Sequence, residues 1–184
     1  MLAELGAATI DADTVYHDLI GPGSPLTHRL TTRFGPIIMK SDGSIDRRAL
    51  ADIVFADAEA LADLDALTHP AVIAEIERRV TSLDAPVVAI DAVKLIESGM
   101  YRACDAVWVV VCDPEQQVAR LMQRIGGSRE EAERRVAAQP PIESKLALAD
   151  VIIDNSGTRE ATTAQVATAW REMCDTIPHQ GNRE

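Results

Sequence analysis

Four short apolar runs, at residues 7–10, 87–91, 106–111 and 151–153, are separated by segments of helical periodicity. Runs that stay apolar without alternating belong to strands buried on both faces, as in parallel sheets. Parallel neighbours need a long crossover, normally a helix. The chain is therefore expected to form an α/β fold, a three-layer α/β/α sandwich with a parallel sheet. Helices are predicted over 12–20, 25–34, 45–55, 56–80, 114–124, 129–139 and 159–173. Gly21-Pro22-Gly23 stops the first, Ser24 is placed to cap the second, and the 56–80 stretch is expected to break near His69-Pro70. Residues of about 24–82 carry helical patterns only, too many for one crossover. They should form a helical subdomain within one domain spanning 1–184.

Composition narrows the class of function. Hydrophobic residues make up 47% of the chain and aromatics 3%, so the core must be aliphatic. The net charge is −11 and no Lys/Arg run occurs, which argues against nucleic acid or an anionic membrane as partner. Cys104, Cys112 and Cys174 are irregularly spaced and read as buried structural thiols of a reducing compartment. No apolar stretch reaches membrane-spanning length, and the first residues lack a basic signal-peptide start. A cytoplasmic location is expected.

Three groups of residues could carry chemistry. Asp11 and Asp13 lie at the end of the first apolar run. One carboxylate there could take a proton from a hydroxyl or hold Mg²⁺; equally, one could cap the following helix. Arg120 and Arg124 share a helix face at i,i+4 and could clamp a polyphosphate, or lie solvated on a surface helix. Lys94 stands among apolar residues just after the second run, where it could serve a phosphate or snorkel to solvent. Ser128 and Glu131 form a capping box for the charged stretch from Arg129 to Arg135, which suits a lid or an i,i+4-paired surface helix. His69, before Pro70, reads first as a hydrogen-bonding residue at a helix kink, and His17, His28 and His179 show no partner pattern.

Taken in order, the chain resembles the dephospho-CoA kinase family. The matching words are Leu5-Gly6 with Ile10-Asp11-Ala12-Asp13, Pro22-Gly23-Ser24-Pro25, Arg33-Phe34-Gly35, and Asp42-Gly43-Ser44 with Arg47-Arg48-Ala49-Leu50. They continue with Ile53-Val54-Phe55-Ala56-Asp57, His69-Pro70, Arg120-Leu121-Met122, Ala137-Ala138-Gln139, and Leu148-Ala149-Asp150 running into Ile153-Asp154-Asn155-Ser156-Gly157. No single word is specific; nine in register are. The resemblance implies a P-loop kinase fold with a helical CoA-binding subdomain at about 24–82 and a lid at about 125–145. It implies transfer of the γ-phosphoryl of ATP, with Mg²⁺, to the ribose 3′-hydroxyl of dephospho-CoA, the last step of coenzyme A synthesis. By position, Asp13 resembles the general base and Arg120 the arginine at the ATP phosphates. With the spacing arguments, Asp11, His69, Lys94 and Glu97 are the residues expected on the acceptor side. Arg120, Arg124, Asn155, Ser156 and Gly157 are those expected on the nucleotide side, with no residue assigned to a metal.

Three departures accompany the resemblance. Residues 2–6 read as the second half of the helix that follows a P-loop, so the family's first strand and phosphate-binding loop are expected to be lacking. That would leave an open slot in the sheet and no evident ATP phosphate site. The expectation is then an enzyme whose natural product carries a P-loop upstream of Met1; the alternatives are a non-catalytic CoA-binding pseudokinase or a truncated remnant. A monomer or weak oligomer is expected, with a strand-swapped dimer as one way to fill the slot. Second, the family's Asp-x-Pro-Leu-Leu-x-Glu reads Asp91-Ala92-Val93-Lys94-Leu95-Ile96-Glu97, with a lysine where a leucine is usual. Third, Ile142 stands where the lid commonly has an arginine, and Lys145 keeps one charge; Lys94 or Lys145 could compensate.

Overall fold

The computed structural model describes residues 1–137 and 139–176. Ala138 of the Ala137-Ala138-Gln139 word and His179 lie outside the described residues. The chain divides into two compact units, Gly6–Met100 and Met1–Leu5 with the chain from Tyr101 onward.

The Gly6–Met100 unit begins with β1 (Ala8–Asp11) and runs directly into α1 (Ala12–Leu19). Three further helices follow: α2 (Pro25–Phe34), α3 (Arg47–Ala56) and α4 (Ala58–Ser82). β2 (Val88–Asp91) returns to pair with β1 in parallel, Asp11 opposite Asp91. Short polar residues fix the helix starts. Ser24 accepts from the Thr27 N–H at 3.0 Å, Asp46 from the N–H groups of Arg48 and Ala49, and Asp57 from that of Glu59 at 2.9 Å. Leu26, Leu30 and Phe34 fall at i, i+4 and i+8 on α2 and pack with Ile38, Ile45, Leu50, Val54 and Ala60. A second cluster joins Ile10 of β1, Val15 of α1, Ile76 of α4 and Met100.

Two sequence expectations need correction here. The predicted break near His69-Pro70 is absent: α4 is one helix of 25 residues with Pro70 inside it. A mid-helix proline costs about 3 kcal/mol, yet α4 is flanked by α1, α2 and α3 and buries Ala60, Thr68 and Ile76. That packing outweighs the lost bond. The boundary lies instead at Asp57, and residues 45–46 precede α3: Ile45 bridges to Met39 and Asp46 is the cap.

In the other unit, Leu2–Leu5 forms one 3-10 turn, shorter than the expected helix tail. β3 (Trp108–Val111) pairs in parallel with β4 (Val151–Asp154), Val111 opposite Asp154. α5 (Pro114–Ile125) ends at Gly126, whose positive φ of 64° only glycine adopts easily, and α6 (Arg129–Ala137) follows. α7 (Glu143–Leu146) and α8 (Arg159–Thr176) complete it. Ile153, Val166 and Ala169 make its core with Leu2, Trp108 and Val151 packed alongside. Ser128 caps α6 through the Glu131 N–H, as expected. Arg129 reaches both oxygens of Glu115 at 2.9 and 2.7 Å, tying α6 to α5.

The parallel α/β class is met, but the strands pair as β1–β2 and β3–β4 rather than in one sheet among the described residues. Burial on both faces is not met either: Val110 is 60% exposed and Ile152 52%. Two strands alone bury one face far better than two. The three cysteines are half-buried, not fully buried as expected.

One surface network makes stability depend on acid. Glu75 on α4 accepts two bonds from Arg78, each 2.7 Å, and one from Arg79 at 2.8 Å; Arg79 also reaches Asp18 of α1. Arg78, then Arg79, hold the Glu75 carboxyl down to about 2. A depressed carboxyl adds stability that is complete above its unfolded value near 4.5 and is lost as pH falls toward 2. Glu75→Gln is expected to melt below the wild type at neutral pH, with the gap closing toward pH 2 in thermal melts.

Candidate functional site

The residues singled out in the sequence gather in two places. In the Gly6–Met100 unit, Asp13, His69 and Lys94 line one cleft of about 150 Å³. Its walls are otherwise largely apolar, with Val72 and Ile73 of α4 and Ala92, Val93 and Met100 after β2. Each wall follows from the fold. Asp13 sits in the first turn of α1, which begins where β1 ends. His69 projects from α4, and Lys94 from the turn that follows β2. Asp13 thus lies just past the carboxyl end of a parallel strand, on the wall of a largely apolar cleft.

Asp11 is not part of this cleft. Its carboxylate accepts from the N–H groups of Asp13 at 2.8 Å and Thr14 at 3.2 Å, so the helix-cap reading holds for it. The Thr14 bond foremost holds its carboxyl below the usual carboxylate range. Glu97 is exposed and does not line the cleft either. Lys94 is half-exposed and paired: its Nζ lies 2.7 and 2.8 Å from the two oxygens of Asp65. His69 Nε2 lies 3.4 Å from the same carboxylate, so its partner is a side chain one turn back rather than a backbone group at a kink. Sequence reasoning missed Asp65, although Asp65 and His69 stand at i,i+4 on a predicted helix. It also missed Tyr16, which lines the cleft and whose phenol burial pushes up in pKa.

The second place is the carboxyl end of β3 and β4. The Asn155 N–H donates to Val111 at 2.8 Å, and the Asp113 N–H donates to the Ser156 hydroxyl at 2.8 Å. Ser156 N–H closes back onto Asp154, and Ser156 foremost holds that carboxyl low. Thr162 donates to the Asn155 side chain at 3.1 Å. The 154–157 turn is thus fixed by bonds from three directions. Arg120 reaches across to it: Nη2 is 3.5 Å from the Gly157 carbonyl and Nη1 is 3.7 Å from Cys112 Sγ. Both contacts are long, so the guanidinium can exchange them for phosphate oxygens at little cost. Arg124 is exposed one turn further along α5. Arg120, Asn155, Ser156 and Gly157 are brought together; the role of Cys112 beside Arg120 had no signal in spacing.

A dephospho-CoA kinase family profile matches residues 1–161. The chain belongs to the dephospho-CoA kinase family. A dephospho-CoA kinase of Symbiobacterium thermophilum is 49% identical over 177 residues, covering 95% of this chain and 74% of that protein. That of Carboxydothermus hydrogenoformans is 43% identical, covering 91% and 83%, and that of Geobacter metallireducens 41%, covering 97% and 90%. Among solved structures, TT1252 from Thermus thermophilus superposes with a TM-score of 0.78 at 30% identity, covering 94% of this chain and 87% of that one. The dephospho-CoA kinase from Campylobacter jejuni gives a TM-score of 0.68 at 29% identity, covering 94% and 88%. The fold is accordingly the P-loop kinase fold of this family. Among the described residues no helix is long and apolar enough to cross a membrane.

Proposed function

We propose that the chain transfers the γ-phosphoryl group of ATP to the ribose 3′-hydroxyl of dephospho-CoA, the final step of coenzyme A synthesis. Membership of the dephospho-CoA kinase family supports this. The observation that carries the acceptor side is Asp13 on the wall of an apolar cleft shared with His69 and Lys94. In this reading Asp13 accepts the hydroxyl proton as the ribose oxygen attacks the γ-phosphorus. The bond from that phosphorus to the β–γ bridging oxygen breaks, and ADP leaves. Phosphoryl transfer asks a protein mainly for positioning and charge neutralisation. Arg120 supplies charge to the ATP phosphates, and the fixed 154–157 turn receives the adenine side, with Arg124 further out on the same helix face. The donor set fits a nucleotide: one guanidinium with exchangeable contacts beside an ordered turn of backbone groups. ATP is expected to bring Mg²⁺, and no residue here is assigned to the metal. The α2–α4 region, which has its own core, is the expected CoA subdomain, and α6 with its flanks the expected lid. Asp11 acts as a cap that holds the start of α1, and thereby Asp13, in place.

The test is Asp13→Asn. Its kcat should fall about a hundredfold, within the 10²–10⁴ range of general-base removal, while dephospho-CoA binding by calorimetry is kept. Unchanged turnover would remove Asp13 as the base. Dephospho-CoA binding by the wild-type chain with no turnover at all would favour the non-catalytic reading.

A further inference from the structure

Among the described residues, Lys94 is the single lysine or arginine that lines the cleft. On the acceptor reading above, the ligand brings a hydroxyl to Asp13 and carries an anionic diphosphate. The Asp13 carboxylate repels that diphosphate, so Lys94 is where the cleft can neutralise it. Two of the three ammonium N–H groups donate to Asp65, at 2.7 and 2.8 Å, which leaves one for a ligand. The Lys94 side chain is 50% exposed and still open to a ligand.

Asp65 itself does not line the cleft. It sits on α4, a helix of 25 residues, while Lys94 sits on the turn after β2. Its one carboxylate touches two cleft-lining groups, Lys94 and His69. Half-exposed ion pairs contribute little to stability, so fold stability alone does not account for this shared contact. A lysine on a flexible stem gains most from being held in place before the ligand arrives. We propose that Asp65 is a positioning residue that holds Lys94 to receive the diphosphate of the acceptor substrate.

Calorimetric titration of the full chain with dephospho-CoA, and with adenosine as a ligand lacking the diphosphate, tests this. Lys94→Leu is expected to weaken dephospho-CoA binding about tenfold and Asp65→Asn about fivefold, as for loss of a charge-assisted contact. Adenosine binding should change by less than about twofold, since it makes no such contact. The double variant should bind no more weakly than Lys94→Leu alone, because Asp65 acts through Lys94. Asp65→Glu should restore binding, and melting temperatures serve as the control for folding. Equal dephospho-CoA binding by wild type and Lys94→Leu overturns the inference, as does a parallel loss for both ligands or an additive double variant. Wild-type protein that binds no dephospho-CoA overturns the acceptor reading itself. If Asp65→Asn does not fold, Asp65→Glu compared with Lys94→Leu decides: binding as weak as that of Lys94→Leu overturns the inference, and restored binding upholds it.

Discussion

Arg120→Ala is expected to lower kcat for phosphoryl transfer from ATP to dephospho-CoA by about a thousandfold, the low end of what one well-placed arginine contributes in such reactions. The expectation comes from geometry that is unusual for a surface arginine. The guanidinium is aimed at a turn fixed by Val111, Asp113 and Thr162, yet among the described residues its contacts are long, at 3.5 and 3.7 Å. It is oriented without being consumed by a carboxylate, which is what transition-state charge stabilisation requires. Arg120→Lys should recover little of the loss, since an ammonium cannot span two phosphate oxygens as a planar fork does. Steady-state kinetics decide the matter. A thousandfold fall in kcat with little change in the KM for dephospho-CoA supports the assignment; a change confined to KM for ATP would make Arg120 a ground-state binder only.

Leu30→Ala should cost about 3 kcal/mol of stability, within the range measured for large-to-small changes in tight cores. Leu30 has no exposed surface and lies at the middle of the α2 stripe, between Leu26 and Phe34. The rest of its core cluster comes from three directions: Ile38 after α2, Leu50 and Val54 on α3, and Ala60 on α4. Helices held from several sides relax poorly into a cavity, so the loss should be near the full transfer and cavity cost. Chemical denaturation should show a lower midpoint with unchanged slope. A loss below about 1 kcal/mol would mean that the helices close over the gap.

Much of this was legible before any coordinates. The four strands fall within a residue or two of the apolar runs, because a buried strand has few other ways to be written. Ser24 and Ser128 announced their helices, since a short hydroxyl before a helical pattern has one favoured use. Asp46 and Asp57 carry the same signal, and the boundary they mark prevails over Pro70, whose cost the packing of α4 offsets. Asp13 and Arg120 came from words in register, as spacing alone left each with a structural alternative. The Lys94–Asp65 pair had no local trace: the partners are 29 residues apart and meet only when the turn after β2 packs by α4. Asp11 shows the converse, a carboxylate beside the site that turned out to serve the backbone.

Three of the four strands finish in aspartate: Asp11 in β1, Asp91 in β2 and Asp154 in β4. Strand ends of this kind repel polyanions in a chain that already carries a net charge of −11. A nucleotide that arrives with its charge already masked by a divalent cation approaches them at a lower electrostatic cost than a bare one. Each strand end, taken within its own unit, is on this account expected to disfavour a bare polyanion relative to a charge-masked one.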